Sequence, residues 1–210
     1  MLAINVTPNA QPAIFTGSMA KIENRLKIIQ DNSPESPREW DNMGTMYCEH
    51  RRYNLGDKNA QDISVYNYET EQRETPDKGY TILPLYLYDH SGITMSTGRF
   101  SCPWDSGCVG YIYVSDKDAK ENYGWKIITK KRREIIAKHL KAEVETYDQY
   151  LTGDVYGFEF ESVAVYPDGR EEVQDTDSCC GFYGSDPEKN GMADCLIVDV
   201  KDCEVTTSWN

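Results

Sequence analysis

The sequence predicts an α+β fold in which a mostly antiparallel sheet packs against one long helix, with extended polar loops between the elements. Two patterns indicate this class: β-branched and aromatic runs bounded by turn residues, and a single apolar stripe through residues 129–151. A chain of 210 residues can form one sizeable core without disulfide bonds. We therefore expect residues 21–210 to form a single domain, preceded by a flexible arm at residues 1–20.

Short apolar runs that end at turn residues predict the strands. They cover residues 22–29, 80–88, 93–96, 109–115, 155–166, 170–174 and 195–207. In the first run, Ile22, Leu26 and Ile28 are expected on one side of the strand. Pro84 cannot donate a ladder hydrogen bond, so it indicates an edge position or a bulge. Polar loops are predicted at 31–44, 56–79 and 177–191.

Helical periodicity predicts a short helix at about 117–123, capped by Ser115 or Asp116, and a long helix from Thr129 to Leu151. Apolar residues recur along the long helix at spacings of three or four: Ile136, Leu140, Val144, Tyr147 and Leu151. Gly153 is expected to end this helix in a left-handed conformation.

The charges of the long helix oppose its macrodipole. Four bases at 130–133 crowd its N-terminus, whereas Glu143, Glu145 and Asp148 lie toward its C-terminus. Either this is an exposed, solvated charge run, or the charges are compensated. Compensation could come from the phosphate of a nucleic acid or nucleotide, or from the acidic C-terminal third of the chain.

The net charge of −13 is concentrated in that acidic third, residues 141–210, which contains 17 acids and 4 bases. Such asymmetry favours a basic protein partner and disfavours DNA and membrane binding, although acidic loops can also act only as a solubilising surface. No apolar run approaches the roughly 18 residues needed to span a bilayer. The cysteine count of seven is odd and includes adjacent Cys179 and Cys180, so we expect reduced thiols and a cytoplasmic location.

The loop at 100–107 combines groups that could carry out catalysis. If the protein is an enzyme, Asp105 is the candidate base or metal ligand, and Cys102 or Ser106 is the candidate nucleophile. A reactive cysteine would also need a histidine within reach. The loops at 40–57, 100–107 and 148–157 would then converge on one pocket.

Two sets of residues could bind a metal, and neither has the spacing of a known metal module. Zinc would accept the first set, Cys48, His50, His90 and Cys102. A hard cation would accept the second set, Asp105, Asp148 and Asp154. Gly-rich phosphate loops are absent, and we predict no cofactor.

Long motifs in the chain resemble a family of small proteins found in bacteriophages and other mobile elements. These motifs are SPREWDN (36–42), HRRYNLGD (50–57), FSCPWDSG (100–107) and YDQYLTGDVYG (147–157), and the resemblance spans about residues 30–185. The family has no established activity to carry over. The resemblance implies an accessory protein that blunts a host defence, as anti-CRISPR proteins and other DNA mimics do.

These observations favour a non-enzymatic protein that binds and inhibits a basic host protein, one that handles nucleic acid or acts in defence, through an acidic surface. The candidate binding residues are Glu159, Glu161, Glu171, Glu172, Asp175, Asp177, Arg51, Arg52, Trp40 and Trp104. The alternatives are a metal-dependent hydrolase of a phosphoester or nucleotide, and a nucleotide-sequestering protein. The sequence does not determine an oligomeric state.

Overall fold

The computed structural model describes residues 19–76 and 78–208 and confirms the α+β class. The strands are β1 (Lys21–Gln30), β2 (Thr45–Cys48), β3 (Val65–Asn67), β4 (Gln72–Glu74), β5 (Tyr80–Asp89), β6 (Ile93–Ser96), β7 (Ser106–Ser115), β8 (Val155–Val165), β9 (Glu171–Tyr183) and β10 (Cys203–Ser208). The helices are α1 (Asp116–Tyr123), α2 (Lys130–Thr152) and α3 (Met192–Cys195), with 3-10 turns at Pro37–Glu39 and Val200–Asp202. The predicted flexible arm falls outside the described residues as far as residue 18.

The strands form two four-stranded sheets and a small hairpin. The first sheet has the order β10-β1-β8-β9, in which β1 and β10 are parallel and the other pairs are antiparallel. The second sheet has the order β2-β7-β5-β6 and is antiparallel throughout. Helix α2 packs on the second sheet, through β5 and β6.

Helix α2 has the predicted ends and the predicted buried face. The Thr129 hydroxyl accepts a hydrogen bond from the Arg132 N–H and caps the first turn. Four residues of the stripe are buried: Ile136, Leu140, Val144 and Tyr147. Gly153 adopts φ 75°, the left-handed conformation that ends a helix. The local periodicity was therefore sufficient to predict this element.

Pro84 lies where its missing N–H is tolerated. Strand β5 pairs with β7 along its length, but with β6 only from Tyr86 to Asp89. Pro84 therefore lies on a stretch of β5 that has one neighbour, next to the register shift between Leu85 and Tyr86. This placement confirms the edge position, one of the two alternatives that the sequence indicated, whereas the extra residue of the nearby bulge is Val109 on β7.

The first sheet has a hydrophobic cluster of its own, and this cluster corrects one prediction. Leu26 and Ile28 belong to it, and Ile22 lies on the same side of β1, as predicted, but is 55% exposed because the cluster packs against only the later part of the strand. Residues 195–207 do not form one strand. Their first half covers the cluster through three apolar side chains, Leu196, Val198 and Val200, and only β10 pairs with β1.

Strand β9 is longer than predicted, because residues 177–183, expected in a loop, continue it to Tyr183. The reason is that β8 offers a partner along its whole length of 11 residues. Two single-residue bulges, at Gln174 and at Gly181 with φ 89°, adjust the register. Between these bulges, Asp175–Cys180 pairs with β8 without interruption.

Candidate functional site

Strand β9 forms an exposed acidic edge of the first sheet, which we call the acidic edge (Glu171–Gly181). In the described part of the chain, β9 pairs with β8 alone, and its other side has no neighbouring strand. All eleven residues of the acidic edge are exposed. They include four acids, Glu171, Glu172, Asp175 and Asp177, and no base. The site follows from the length and position of β9, which the sequence prediction missed.

Backbone groups on the open side of the acidic edge bond to side chains of the same strand. The Thr176 N–H donates to Asp175 Oδ1 at 2.9 Å, and the Ser178 N–H donates to Asp177 Oδ1 at 2.8 Å. The Asp31 N–H donates to the Val155 carbonyl, so odd-numbered residues of β8 point their backbone groups toward β1. Thr176 and Ser178 pair with odd-numbered residues of β8, so their N–H groups face away from β8. Carboxylates of the strand itself thus bond two of the N–H groups on its open side.

The acids of the neighbouring strand β8 are partly neutralised. Glu159 and Glu161 lie two positions apart on β8 and share one face, where they line a shallow concave surface of about 570 Å³ with Arg25 and Lys27. Lys27 donates to Glu159 at 3.0 Å. Cations from β1 therefore lie among the carboxylates on this face.

The four acids of β9 also differ in whether they already bond to another side chain of the protein. Arg25 donates two hydrogen bonds to Glu171, at 2.8 and 2.7 Å, and these bonds lower the pKa of Glu171. Glu172 accepts a hydrogen bond from the Tyr166 hydroxyl. Within the described residues, Glu172, Asp175 and Asp177 form no ion pair, so they remain open to a cation from a partner.

One of the four bases at the N-terminus of α2, Arg133, is compensated by an acid inside the chain, and this acid lies outside the acidic third. Arg133 pairs with Asp116 of α1 at 3.0 Å and also donates to the Tyr80 carbonyl. Arg132 lies over the Trp125 ring, 4.8 Å from its centroid. The compensating acid precedes residue 141, because α1 leads directly into α2 and brings Asp116 beside it.

Toward the C-terminal end of α2, Glu143 holds the loop that follows β1. Its carboxylate accepts from the Met43 N–H at 3.1 Å, the Gly44 N–H at 3.0 Å and Arg38 Nη1 at 3.0 Å. Arg38 also pairs with Asp57, at 2.7 Å. Burial opposes the charge of Arg38, but these hydrogen bonds keep its pKa above the ordinary value. No sequence pattern predicted this buried network, because its members are far apart in the chain.

The proposed hard-cation set is not brought together. Asp148 accepts from the Thr94 hydroxyl at 2.7 Å and the Met95 N–H at 2.6 Å, whereas Asp105 contacts His90. Across residues 19–76 and 78–208, no three His, Cys, Asp or Glu side chains form a group that could hold a metal ion. That finding includes Asp154 and the proposed zinc set.

In the loop at 100–107, the candidate nucleophiles are engaged in other contacts. The Ser106 hydroxyl donates to the Cys102 carbonyl at 2.5 Å. The Cys102 thiol contacts Asp105 Oδ2 at 3.6 Å, and His90 Nδ1 lies 3.3 Å from the same oxygen. The carboxylate therefore stands between the thiol and the imidazole, instead of the imidazole contacting the thiol directly as a catalytic pair requires.

The aromatic and cationic candidates are dispersed. Trp40 packs edge-to-face on Tyr183 with ring centroids 5.1 Å apart. Trp104 is 91% exposed and lines a cleft of about 570 Å³ with Arg51 and Arg52. Arg52 pairs with Asp89. Arg51, which lines the same cleft, forms no ion pair among the described residues.

The three predicted loops do not meet in one pocket. The loop at 40–57 borders the loop at 100–107 in the cleft beside Trp104. It borders Tyr150, from the loop at 148–157, in a separate cleft of about 1420 Å³. One loop thus contacts each of the others, and no cleft described here is lined by all three.

Comparison with known proteins finds no relative: no family model, curated protein or solved structure matches this chain. The resemblance to mobile-element proteins therefore stays a prediction. The part of the chain that the structure describes contains no helix long and apolar enough to cross a membrane.

Proposed function

We propose that this chain is a non-enzymatic protein that binds a basic protein partner at the acidic edge. One observation carries the proposal: eleven consecutive exposed residues at the border of a sheet contain four acids and no base. A basic groove that normally binds nucleic acid phosphates has the complementary charge. In the mobile-element context that the motifs imply, the partner is a host protein that handles nucleic acid or acts in defence, and binding inhibits it.

Many acids outside β9 already bond to other groups of the protein, and this supports a narrow docking surface along β9. Glu143 and Asp148 bond to the protein's own loops, and Glu159 and Glu171 pair with Lys27 and Arg25. Along β9, Glu172, Asp175 and Asp177 are exposed and form no ion pair among the described residues, so they remain for a partner. Charge at exposed sites acts mainly on the association rate and is screened within about 8–10 Å at physiological ionic strength. Binding should therefore be fast and weaken steeply with salt.

The test compares two triple variants with the same net charge. In the edge variant, three acids of β9 become lysine: Glu172→Lys, Asp175→Lys and Asp177→Lys. In the control, three exposed acids of the helices become lysine: Glu121→Lys, Glu134→Lys and Glu145→Lys. The probe is protamine, a basic nucleic-acid-binding protein, titrated at increasing salt.

We expect the edge variant to bind protamine at least tenfold more weakly than the parent, and the control to stay within about twofold. Tenfold corresponds to about 1.4 kcal/mol. The parent chain should not shift duplex DNA in the same buffer. Equal weakening of both variants would mean that net charge alone attracts the probe and that the acidic third is only a solubilising surface.

A further inference from the structure

We infer that the partner of the acidic edge is an extended, lysine- or arginine-rich segment that adds to the first sheet as a fifth strand beside β9. The inference rests on the proposed function and specifies how the partner binds. In this mode the partner's backbone carbonyls accept the outward N–H groups of Thr176 and Ser178, while its cations pair with Asp175 and Asp177. Strand addition is an established mode of peptide recognition at an open sheet edge.

The shape of β9 defines where a strand can add. Bulges at Gln174 and Gly181 bend the strand, and the stretch between them, Asp175–Cys180, pairs regularly with β8. Six residues at a rise of about 3.3 Å each give a docking edge roughly 20 Å long. Both faces of this stretch are exposed, so no side chain of the described residues covers an incoming strand's path.

The carboxylates on the edge select a basic strand and exclude a neutral one. Two of the outward N–H groups already have an acceptor, Asp175 Oδ1 for Thr176 and Asp177 Oδ1 for Ser178. A strand without cations would have to break these charge-assisted bonds and gain only ordinary ones. A lysine or arginine of the incoming strand compensates the displaced carboxylate, and the freed N–H can then join the new ladder.

The same carboxylates argue against a second copy of this chain as the occupant. Pairing two acidic edges would bring the acids of one β9 close to those of the other, and like charges on paired strands are destabilising. The edge has no base to relieve this repulsion. The complementary strand must therefore come from a different, basic chain.

The test uses two peptides of equal charge on the intact protein. One alternates lysine and valine over seven residues and can form a strand. The other has proline in place of each valine, which removes backbone donors and opposes pairing in a sheet. We expect the lysine–valine peptide to bind at least tenfold more tightly and to slow hydrogen exchange of the Thr176 and Ser178 amides.

Equal affinity for the two peptides, with binding that still requires the acids of β9, would overturn strand addition and leave charge-driven docking in place. Failure of both peptides and of protamine to bind would overturn the proposed function itself. The two conclusions are thus separated by the proline peptide.

Matched variants test the role of the carboxylates. The double variant Asp175→Asn and Asp177→Asn keeps an acceptor oxygen for each of the two N–H groups but removes the charge. It should bind the lysine–valine peptide at least tenfold more weakly than the parent and should not self-associate. Replacing both by alanine removes the acceptor as well, and the uncovered edge should then self-associate with rising concentration in sedimentation. An alanine variant that sediments like the asparagine variant would contradict the covering role.

Discussion

Helix α2 and strand β9 both carry several acids, yet these acids perform opposite tasks. On α2, Glu143 is buried and bonds to Arg38 and to two backbone N–H groups. On β9, Asp175 and Asp177 are exposed and, among the residues that the structure describes, bond only to the neighbouring N–H groups of their own strand. The difference shows that an acid's role depends on what the fold packs against it, which a count of charges does not reveal.

The largest expected effect is on the helix side of this comparison. Glu143→Ala leaves the buried Arg38 with one carboxylate, Asp57, and the Gly44 carbonyl, and it removes the acceptor of two backbone N–H groups. Breaking a buried ion pair from one side costs roughly 3–5 kcal/mol, measured by denaturant unfolding. The control is Glu145→Ala, an exposed acid that pairs with Lys141 at 3.5 Å and should change stability by no more than about 1 kcal/mol. Similar losses in both variants would contradict the comparison.

Leu140→Ala tests the apolar stripe that holds α2 on the second sheet. Leu140 is fully buried, and its truncation should lower the free energy of unfolding by roughly 2–5 kcal/mol. Ile135 on the same helix is 43% exposed, so Ile135→Ala should have a much smaller effect. A near-neutral result for Leu140→Ala in denaturant melts would mean that the stripe contributes little to the core.

Gly153→Ala tests the end of α2. The residue has φ 75°, and an alanine there should lose about 1–2 kcal/mol of stability through backbone strain. An added Cβ would lie 3.4 Å from Gln30 Nε2, which is ordinary contact, so the strain should come from the backbone. A Cβ added at Gly107 would meet no atom within 4 Å, and the φ of this residue lies outside the left-handed region. Gly107→Ala therefore serves as the control in thermal melts. Equal melting temperatures for the two variants would refute the role of Gly153.

On the strand side, the expected stability effects are small. Asp175→Asn and Asp177→Asn keep the hydrogen bonds to the backbone, so together they should change the free energy of unfolding by less than about 0.5 kcal/mol. The same variants should weaken binding of a basic strand at least tenfold. A large loss of stability would place these acids in the same structural class as Glu143.

The smallest effect is expected from reductant. All seven cysteines are free thiols, and burial raises the pKa of Cys48 to about 12, which keeps it protonated. Melting temperatures with and without reductant should therefore agree within a few degrees. A large loss of stability on reduction would indicate a disulfide that contributes to folding.

Much of the fold could be predicted, because its signals are local. The stripe from Ile136 to Tyr147 and the stop at Gly153 depend on residues a few positions apart, and the same is true of the short runs that became β5 and β6. Errors arose where pairing overrides composition. Residues 177–183, expected in a loop, form part of β9 because β8 lies beside them. Leu196, Val198 and Val200, expected in a strand, cover the cluster of the first sheet instead.

The sequence by itself determined the fold class, the long helix and the concentration of acid in the last third of the chain, since each follows from residue type and spacing. Only the tertiary structure decided which acids remain available to a partner. Arg38 lies 105 positions from Glu143, and Arg25 lies 146 positions from Glu171. Contacts at such separations depend on strand order and packing, and these neutralise some acids while leaving Glu172, Asp175 and Asp177 open at the edge of the sheet.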